Sequence, residues 1–327
     1  MTKTLLFKFL NFLAILIVVV VFPDPFRQNL NAYLVWSDMV DKNFIPLENS
    51  NRQQALEIFT KHKDVEPWFG IEQEYFIVDP KTKYPLGFDI GQTHGLVSPE
   101  PQGKYYCGVG TGCALARDIP ETHMKYCLYA GINICGINGE VAPAQWEYQI
   151  GPCVGIDAGD HLWISRYILN RISENFGYEI SYHPKPLGLL LGLNADWNGS
   201  GCHTNFSTKA MRETNGIVHI YKAIDRLSKN HLAHMKLYGS DNTMRMSGKH
   251  ETSSYDKFTF GRANRGASVR IPNTVLADSK GYFEDRRPGA NCDPYLVTSI
   301  ILNTCENIEF DKETNQSNSI FSIGYII

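Results

Sequence analysis

The sequence predicts an α+β fold in which helices flank an antiparallel sheet. Strand-like and helix-like stretches alternate irregularly along the chain, without the steady rhythm of a doubly wound parallel sheet. Two amphipathic stretches are bracketed by helix start and stop signals. With 327 residues, 43% hydrophobic and 20% charged, the chain has the composition of a globular protein able to bury a core.

Taken in order, the chain begins with an apolar run from Leu5 to Phe22, interrupted by Lys8 and Asn11 and preceded by Lys3. Three readings of it stand open. A signal peptide fits the charged start, but Phe22-Pro23-Asp24 is not a small-residue cleavage site. A membrane anchor sits at the lower limit of length. A buried strand suits Ile15 to Val21, which is rich in β-branched residues and runs into a Pro-Asp-Pro turn. Residues 23–66 carry turn signals and polar clusters, with an amphipathic stretch near Arg52 to His62, and read as a linker.

WFGIEQEYFIV, residues 68–78, reads as a strand that points Glu72 and Glu74 to the same face. Asp118, Pro120 and Glu121 start a helix that runs through Tyr129 until Gly131 stops it. Asn133 to Val141 and Gln145 to Ile150 read as strands separated by Pro143. A second helix, Ala158 to Phe176, gathers Ile164, Ile168 and Ile172 on one face and ends at Gly177. Strands near Cys202 to Ser207 and Ser268 to Ile271, helices between Lys209 and Tyr238, and a last helix after Pro294 complete the pattern.

Thirty-one basic and 34 acidic side chains leave a net charge of -3, so neither nucleic acid nor anionic lipid is an expected partner. The eight cysteines form no CxxC pair and read as reduced, mostly buried thiols.

The chemistry concentrates in acids and arginines. Glu72, Glu74, Glu140, Glu147 and Glu284 lie mostly in apolar, strand-like surroundings, where an unpaired carboxylate is costly to bury. Each could pair with an arginine. As a set they suit Mg²⁺ or Mn²⁺, with His203 as a tolerated imidazole ligand. Arg245, Arg265, Arg270 and Arg286 form a second group, suited to carboxylates and phosphates through their planar forks. The segment DWNGSGCHTNFS, 196–207, has glycines that would let a ligand approach the backbone. Neither a GxxxxGK[ST] nor a GxGxxG motif is present.

Six segments resemble the eukaryotic-type glutamine synthetase family, in the family's order: PWFGIEQEY (67–75), CLYAGINICGINGEVAPAQWEYQIGP (127–152), DWNGSGCHTNFSTKAMRE (196–213), GKHETS (248–253), ANRGASVRIP (263–272) and GYFEDRRPGANCDPY (281–295). The resemblance implies a catalytic domain over residues 67–305, with a curved antiparallel sheet forming a funnel that takes ATP at one end and glutamate at the other. It divides the rest into an apolar segment 1–22, a β-grasp remnant and linker 23–66, and a tail 306–327.

By motif, one metal would be held by Glu74, Glu140 and Glu147 and the other by Glu72, His203 and Glu284. ATP would meet Glu147, Asn205, Phe206, Ser207, Arg265, Arg270, Tyr282 and Phe283. Glutamate would meet Asp196, Trp197, Arg245, Arg265 and Arg286. Arg265 and Arg286 would also act in phosphoryl transfer, while Glu251 would shield the γ-glutamyl phosphate and help bind ammonium. Expected partners are L-glutamate, ammonium, ATP, two Mg²⁺ or Mn²⁺ ions and further copies of the chain in stacked rings. A cytoplasmic location is implied, the alternative being secretory or membrane-associated if the apolar start is a true signal.

The sequence departs from the family pattern in places. The β-grasp Asp-Gly-Ser-Ser motif, whose aspartate deprotonates ammonium in a neighbouring subunit, does not occur among these 327 residues. GLLLGLN, 188–194, lengthens the loop before Asp196, and Met244 and Arg262 replace the family's usual residues. A synthetase is therefore expected alongside one alternative, a truncated or non-catalytic homologue that binds nucleotide or metal or joins full-length subunits.

Overall fold

The computed structural model of the chain describes residues 4–5, 15–47, 50–90, 96–97, 102–186 and 197–306. Asp196, the GLLLGLN stretch, most of the apolar start and the tail from residue 307 lie outside the described residues.

Strands β1 (Thr4–Leu5), β2 (Ile15–Pro23) and β3 (Tyr33–Val40) form a small antiparallel sheet. The expected apolar strand is present, but it is not a buried one: along β2 only Ile15 and Phe22 are buried. One face rests on the body, with Phe22 edge-on to His161 at 5.6 Å and Trp36 stacked on Trp163 at 6.4 Å. The stretch that reads as a linker holds β3 and helix α1 (Asn51–Lys61). Buried charge fastens both to the body, for Arg52 pairs with Asp160 at 2.8 Å and with Asp38 at 3.1 Å. The amphipathic stretch near Arg52 to His62 is α1, whereas its charged anchor gives no hydrophobic periodicity and is not visible in the sequence.

Next come β4 (Trp68–Val78), a small ribbon of β5 (Asp89–Ile90) and β6 (Leu96–Val97), and α2 (Asp118–Tyr129). Strands β7 (Ile134–Gly139) and β8 (Gln145–Val154) lead to α3 (Asp157–Phe176), β9 (Glu179–Ser181) and β10 (Cys202–Ser207). Helices α4 (Lys209–Arg212), α5 (Ile217–Lys229), α6 (His231–Met235) and α7 (Asn242–Arg245) follow. The last elements are β11 (Phe260–Arg262), β12 (Val269–Ile271), α8 (Asn273–Asp278), β13 (Phe283–Asp285) and α9 (Pro294–Cys305).

The main sheet runs β11-β12-β13-β10-β4-β8-β7, with β9 beside β4. Its pairs are antiparallel except β11 and β12, a short parallel edge. Helices α2 and α3 cover one face, and α9 packs against α3, α1 and α5. Ile164, Ile168 and Ile172 of α3 are all buried, as their spacing predicts. Gly177, at φ +75°, ends α3 in the left-handed conformation that glycine adopts without strain.

Strand alternation then sorts the chemistry. On β4, Phe69, Ile71, Gln73 and Tyr75 are buried on the helix side, which turns Glu72 and Glu74 to the other face. By the same alternation Glu147 and Gln149 of β8, His203 and Asn205 of β10, Arg270 of β12 and Glu284 of β13 share that face. The eight thiols are free, with Cys127, Cys153, Cys202, Cys292 and Cys305 buried and Cys107 and Cys135 exposed.

Candidate metal and nucleotide site

Cross-strand register brings the acids together. Glu72 lies opposite His203 on one side and Gln149 on the other, and Glu74 lies opposite Glu147. Glu140 follows β7, its backbone N–H bonded to the Gln145 carbonyl at 2.8 Å. Glu72, Glu74, Glu140, Glu147 and His203 line one cavity of about 260 Å³. Glu284 is buried in its wall, with Oε1 3.6 Å from His203 Nδ1.

Ligand atoms of Glu72, Glu147 and His203 all lie within 4.8 Å of one another. This trio crosses the two ligand sets that the motifs imply, joining members of each. His203 Nδ1 is 3.6 Å from Glu72, and its Nε2 is 3.9 Å from Glu74. Burial, then the nearby Arg286, holds this imidazole far below its usual range, so the ring is neutral and free to act as a ligand.

Charge compensation differs sharply within the set. Glu284 follows the salt-bridge reading, with Arg286 Nη1 at 2.6 Å and Arg270 Nε at 2.5 Å, the latter out of line for a hydrogen bond. No arginine among the described residues pairs with Glu72, Glu74, Glu140 or Glu147. These four accept hydrogen bonds from Asn205 at 2.8 Å, from Gln145 and the Gly201 N–H at 3.2 and 2.9 Å, from Asn138 at 3.0 Å, and from Gln149, respectively.

Burial, then the Glu140 carboxylate, pushes Glu74 up to about 8. Burial, then Glu147, pushes Glu140 up to about 8. Burial also holds Glu147 well above the carboxylate range, with Glu72 and Glu74 adding to the effect. Such a cluster must take up either protons or cations. Its oxygen-rich donors with one neutral imidazole fit a hard divalent ion.

The arginines form the other wall. Arg245 is buried, its Nη2 donating to the carbonyls of Arg286, Arg287 and Pro288 at 3.1, 2.7 and 3.0 Å. Burial lowers it to about 10, the more so beside Arg286 and against the pull of Glu74. The glycines of 196–201 make room for it: a Cβ on Gly199 would lie 2.7 Å from Arg245 Cγ, and one on Gly201 2.7 Å from His203 Nε2. In the structure, the groups that approach this backbone are the protein's own side chains.

At the mouth, exposed Arg265 pairs with Glu251 at 3.2 Å and reaches the Tyr106 hydroxyl at 3.4 Å. His250 and Glu251 have φ of 53° and 60°, two successive non-glycine residues in the strained left-handed region. Trp197 faces away from the cavity and sits on Phe88 at 5.0 Å, whereas its neighbours Asn198 and Gly199 line it.

A second, largely apolar cavity of about 410 Å³ adjoins the first and shares Glu72 and Gln149 with it. Asn205, Phe206, Ser207 and Tyr282 line it. Phe283 lines neither cavity, its fully buried ring packing 5.6 Å from Phe206 in the core, because it lies one position off the site face of β13. Sequence reasoning missed Trp68 and Arg212, whose guanidinium lies 4.1 Å over the indole, as well as Cys135 and Pro152. It also missed Asn138 and Gln149, although Gln149 stands two residues from Glu147 and period-two alternation would have found it.

The family described as "Glutamine synthetase, catalytic domain" matches residues 50–235. A glutamine synthetase of Saccharomyces cerevisiae is 49% identical over 310 residues, covering 91% of this chain and 78% of the relative. One from Tuber borchii is 51% identical over 286 residues, covering 88% and 76%. A putative glutamine synthetase of Acanthamoeba polyphaga mimivirus is 52% identical over 284 residues, covering 86% and 76%. On these matches, the chain belongs to the glutamine synthetase family.

Proposed function

We propose that this chain ligates ammonia to L-glutamate with ATP, forming glutamine, ADP and phosphate by way of γ-glutamyl phosphate. One observation carries the reading: Glu72, Glu74, Glu140, Glu147 and His203 meet at a cavity that opens onto an apolar one.

In this proposal those residues and Glu284 hold two divalent cations, Mg²⁺ or Mn²⁺. When bound, such ions neutralise phosphate charge and hold the γ-phosphoryl group in line for transfer. The apolar cavity takes the nucleotide, with Trp68, Arg212, Asn205, Ser207 and Tyr282 around its base and sugar. Arg265 and Arg270 face its phosphates, while Arg245, Arg265 and Arg286 grip the carboxylates of glutamate. Their fixed guanidinium donors stabilise charge on the moving phosphoryl group. Glu251, on its strained loop over the mouth, excludes water from the acyl phosphate and receives ammonium. A cytoplasmic homo-oligomer belongs to the same proposal, and light scattering on the purified chain tests the assembly.

Hydroxylamine in place of ammonia tests the reaction. The expected result is γ-glutamyl hydroxamate that forms only with glutamate, ATP and Mg²⁺ or Mn²⁺ all present. Metal-dependent ATP binding without hydroxamate would favour the non-catalytic alternative, and absence of both would refute the site assignment.

A further inference from the structure

Between Glu140, just after β7, and Glu147 of β8 runs a chain of neutral amides. Asn138 donates from Nδ2 to Glu140 Oε1 at 3.0 Å, and its Oδ1 accepts from Gln149 Nε2 at 2.8 Å. The same Nε2 also donates to Glu147 Oε1. Both amide hydrogens of Gln149 are thus used, and the connection reads Glu140, Asn138, Gln149, Glu147.

Strand register builds this chain. Asn138 lies opposite Glu147, and Gln149 lies between Gly136 on one side and Glu72 on the other. Gly136 supplies the room, because a Cβ there would sit 2.4 Å from Gln149 Oε1. Any larger residue at 136 would push the amide off its two partners. Gln149 also stands at the junction of the two cavities and lines both.

An amide is suited to this place. An arginine, such as those on Glu284, would cancel carboxylate charge and compete with a cation. A neutral N–H donor fixes a carboxylate's orientation, orders its neighbour in turn, and leaves its charge and remaining lone pairs available.

We infer that Asn138 and Gln149, seated by Gly136, are positioning residues that set the separation of Glu140 and Glu147 for divalent cations. The inference rests on the reading of those glutamates as metal-holding groups. Partners of this kind, one step removed from the ion, typically govern metal affinity by about 10–100-fold.

The test is equilibrium Mn²⁺ binding to the full chain, read from the spin-resonance signal of free Mn²⁺, for Gln149→Leu, Asn138→Leu and Gly136→Ala. Gly136→Ala is the decisive variant, since it alters neither an acid nor an amide and its added methyl meets only the movable end of Gln149. Should a leucine variant fail to fold, Gly136→Ala alone answers the question, with its thermal midpoint measured alongside. Each variant is expected to bind Mn²⁺ about 10–100-fold more weakly. Gly136→Ala combined with Gln149→Leu is expected to be no weaker than Gln149→Leu alone, because both break the same link. Wild-type affinity in Gly136→Ala, or losses that add in the double variant, would overturn the relay while leaving the metal reading intact. A wild-type chain with no saturable Mn²⁺ binding would instead refute the metal reading, and the relay with it.

Discussion

The floor of the cavity and its mouth are built on opposite terms. The floor is sheet: its acids stand on strands locked in register, or just past one in the case of Glu140, and are held by amides and a backbone N–H. The mouth is loop: Arg265 and Glu251 are 46% and 51% exposed, and their pairing rests on a backbone strained at His250 and Glu251. An exposed pair is worth roughly 0–1 kcal/mol, so a substrate phosphate or carboxylate can exchange with Glu251 for Arg265 at little cost. Uncompensated buried acids are a far larger liability. Locked register therefore sits where buried charge must be matched by protons or cations, and weak pairing where groups must part.

The largest expected effect lies beneath the floor. Arg287 is fully buried and holds Asp285 through Nε at 2.8 Å and Nη2 at 2.7 Å. Its carbonyl also accepts from Arg245 at 2.7 Å. Arg287→Ala should cost about 3–5 kcal/mol of stability by leaving a buried carboxylate unpaired. Denaturant unfolding of the metal-free chain measures it, and a cost under about 1 kcal/mol would break the contrast between floor and mouth.

Next comes Glu147→Gln, which replaces one of the crowded acids with an amide that cannot ionise to hold a cation. Metal-dependent hydroxamate formation should fall on the order of 100-fold or more. The metal-free protein should become no less stable, since a buried acid that resists ionisation gives way to a neutral group of the same shape. A variant that keeps its activity but loses stability would mean that Glu147 is a structural acid.

The third effect is a pH dependence. Glu74 and Glu140 are held up to about 8, above the ordinary value of 4.5. Between those limits the folded, metal-free chain binds more protons than the unfolded one, so its stability must fall as pH rises. Urea unfolding at pH 5.5 and 7.5 should show the loss without metal, and saturating Mn²⁺ should remove it.

Smallest is the mouth itself. Glu251→Gln should change stability by less than about 1 kcal/mol while raising the share of ATP hydrolysed without hydroxamate formation. Unchanged coupling between the two products would sharpen the comparison by assigning the water barrier to another group at the mouth.

Much of the floor was legible in the sequence because strands have a period of two. Glu72 and Glu74, or His203 and Asn205, announce a shared face by spacing alone. Helix α3 was legible from its isoleucines and from Gly177. Other features depend on register across strands, which spacing within one strand does not encode. Thus Glu284 went to two arginines while its fellow acids did not, and the tightest trio drew on both implied ligand sets. Helix α1 was announced by the amphipathic stretch near Arg52 to His62, but strand β3 was hidden because a buried ion pair fastens it, and a polar residue that will be buried looks like one that will not. Phe283 shows the limit of carrying a motif over position by position, since its neighbours face the site and its own ring faces the core.

Calorimetric titration of the metal-free chain with Mn²⁺ near pH 7, repeated in buffers of different ionisation enthalpy, tests the central claim most directly. If the buried acids of the floor are waiting for divalent ions, two ions should bind per chain and protons should be released as Glu74 and Glu140 give them up. Saturation with no proton release, or no saturable heat at all, would contradict the account.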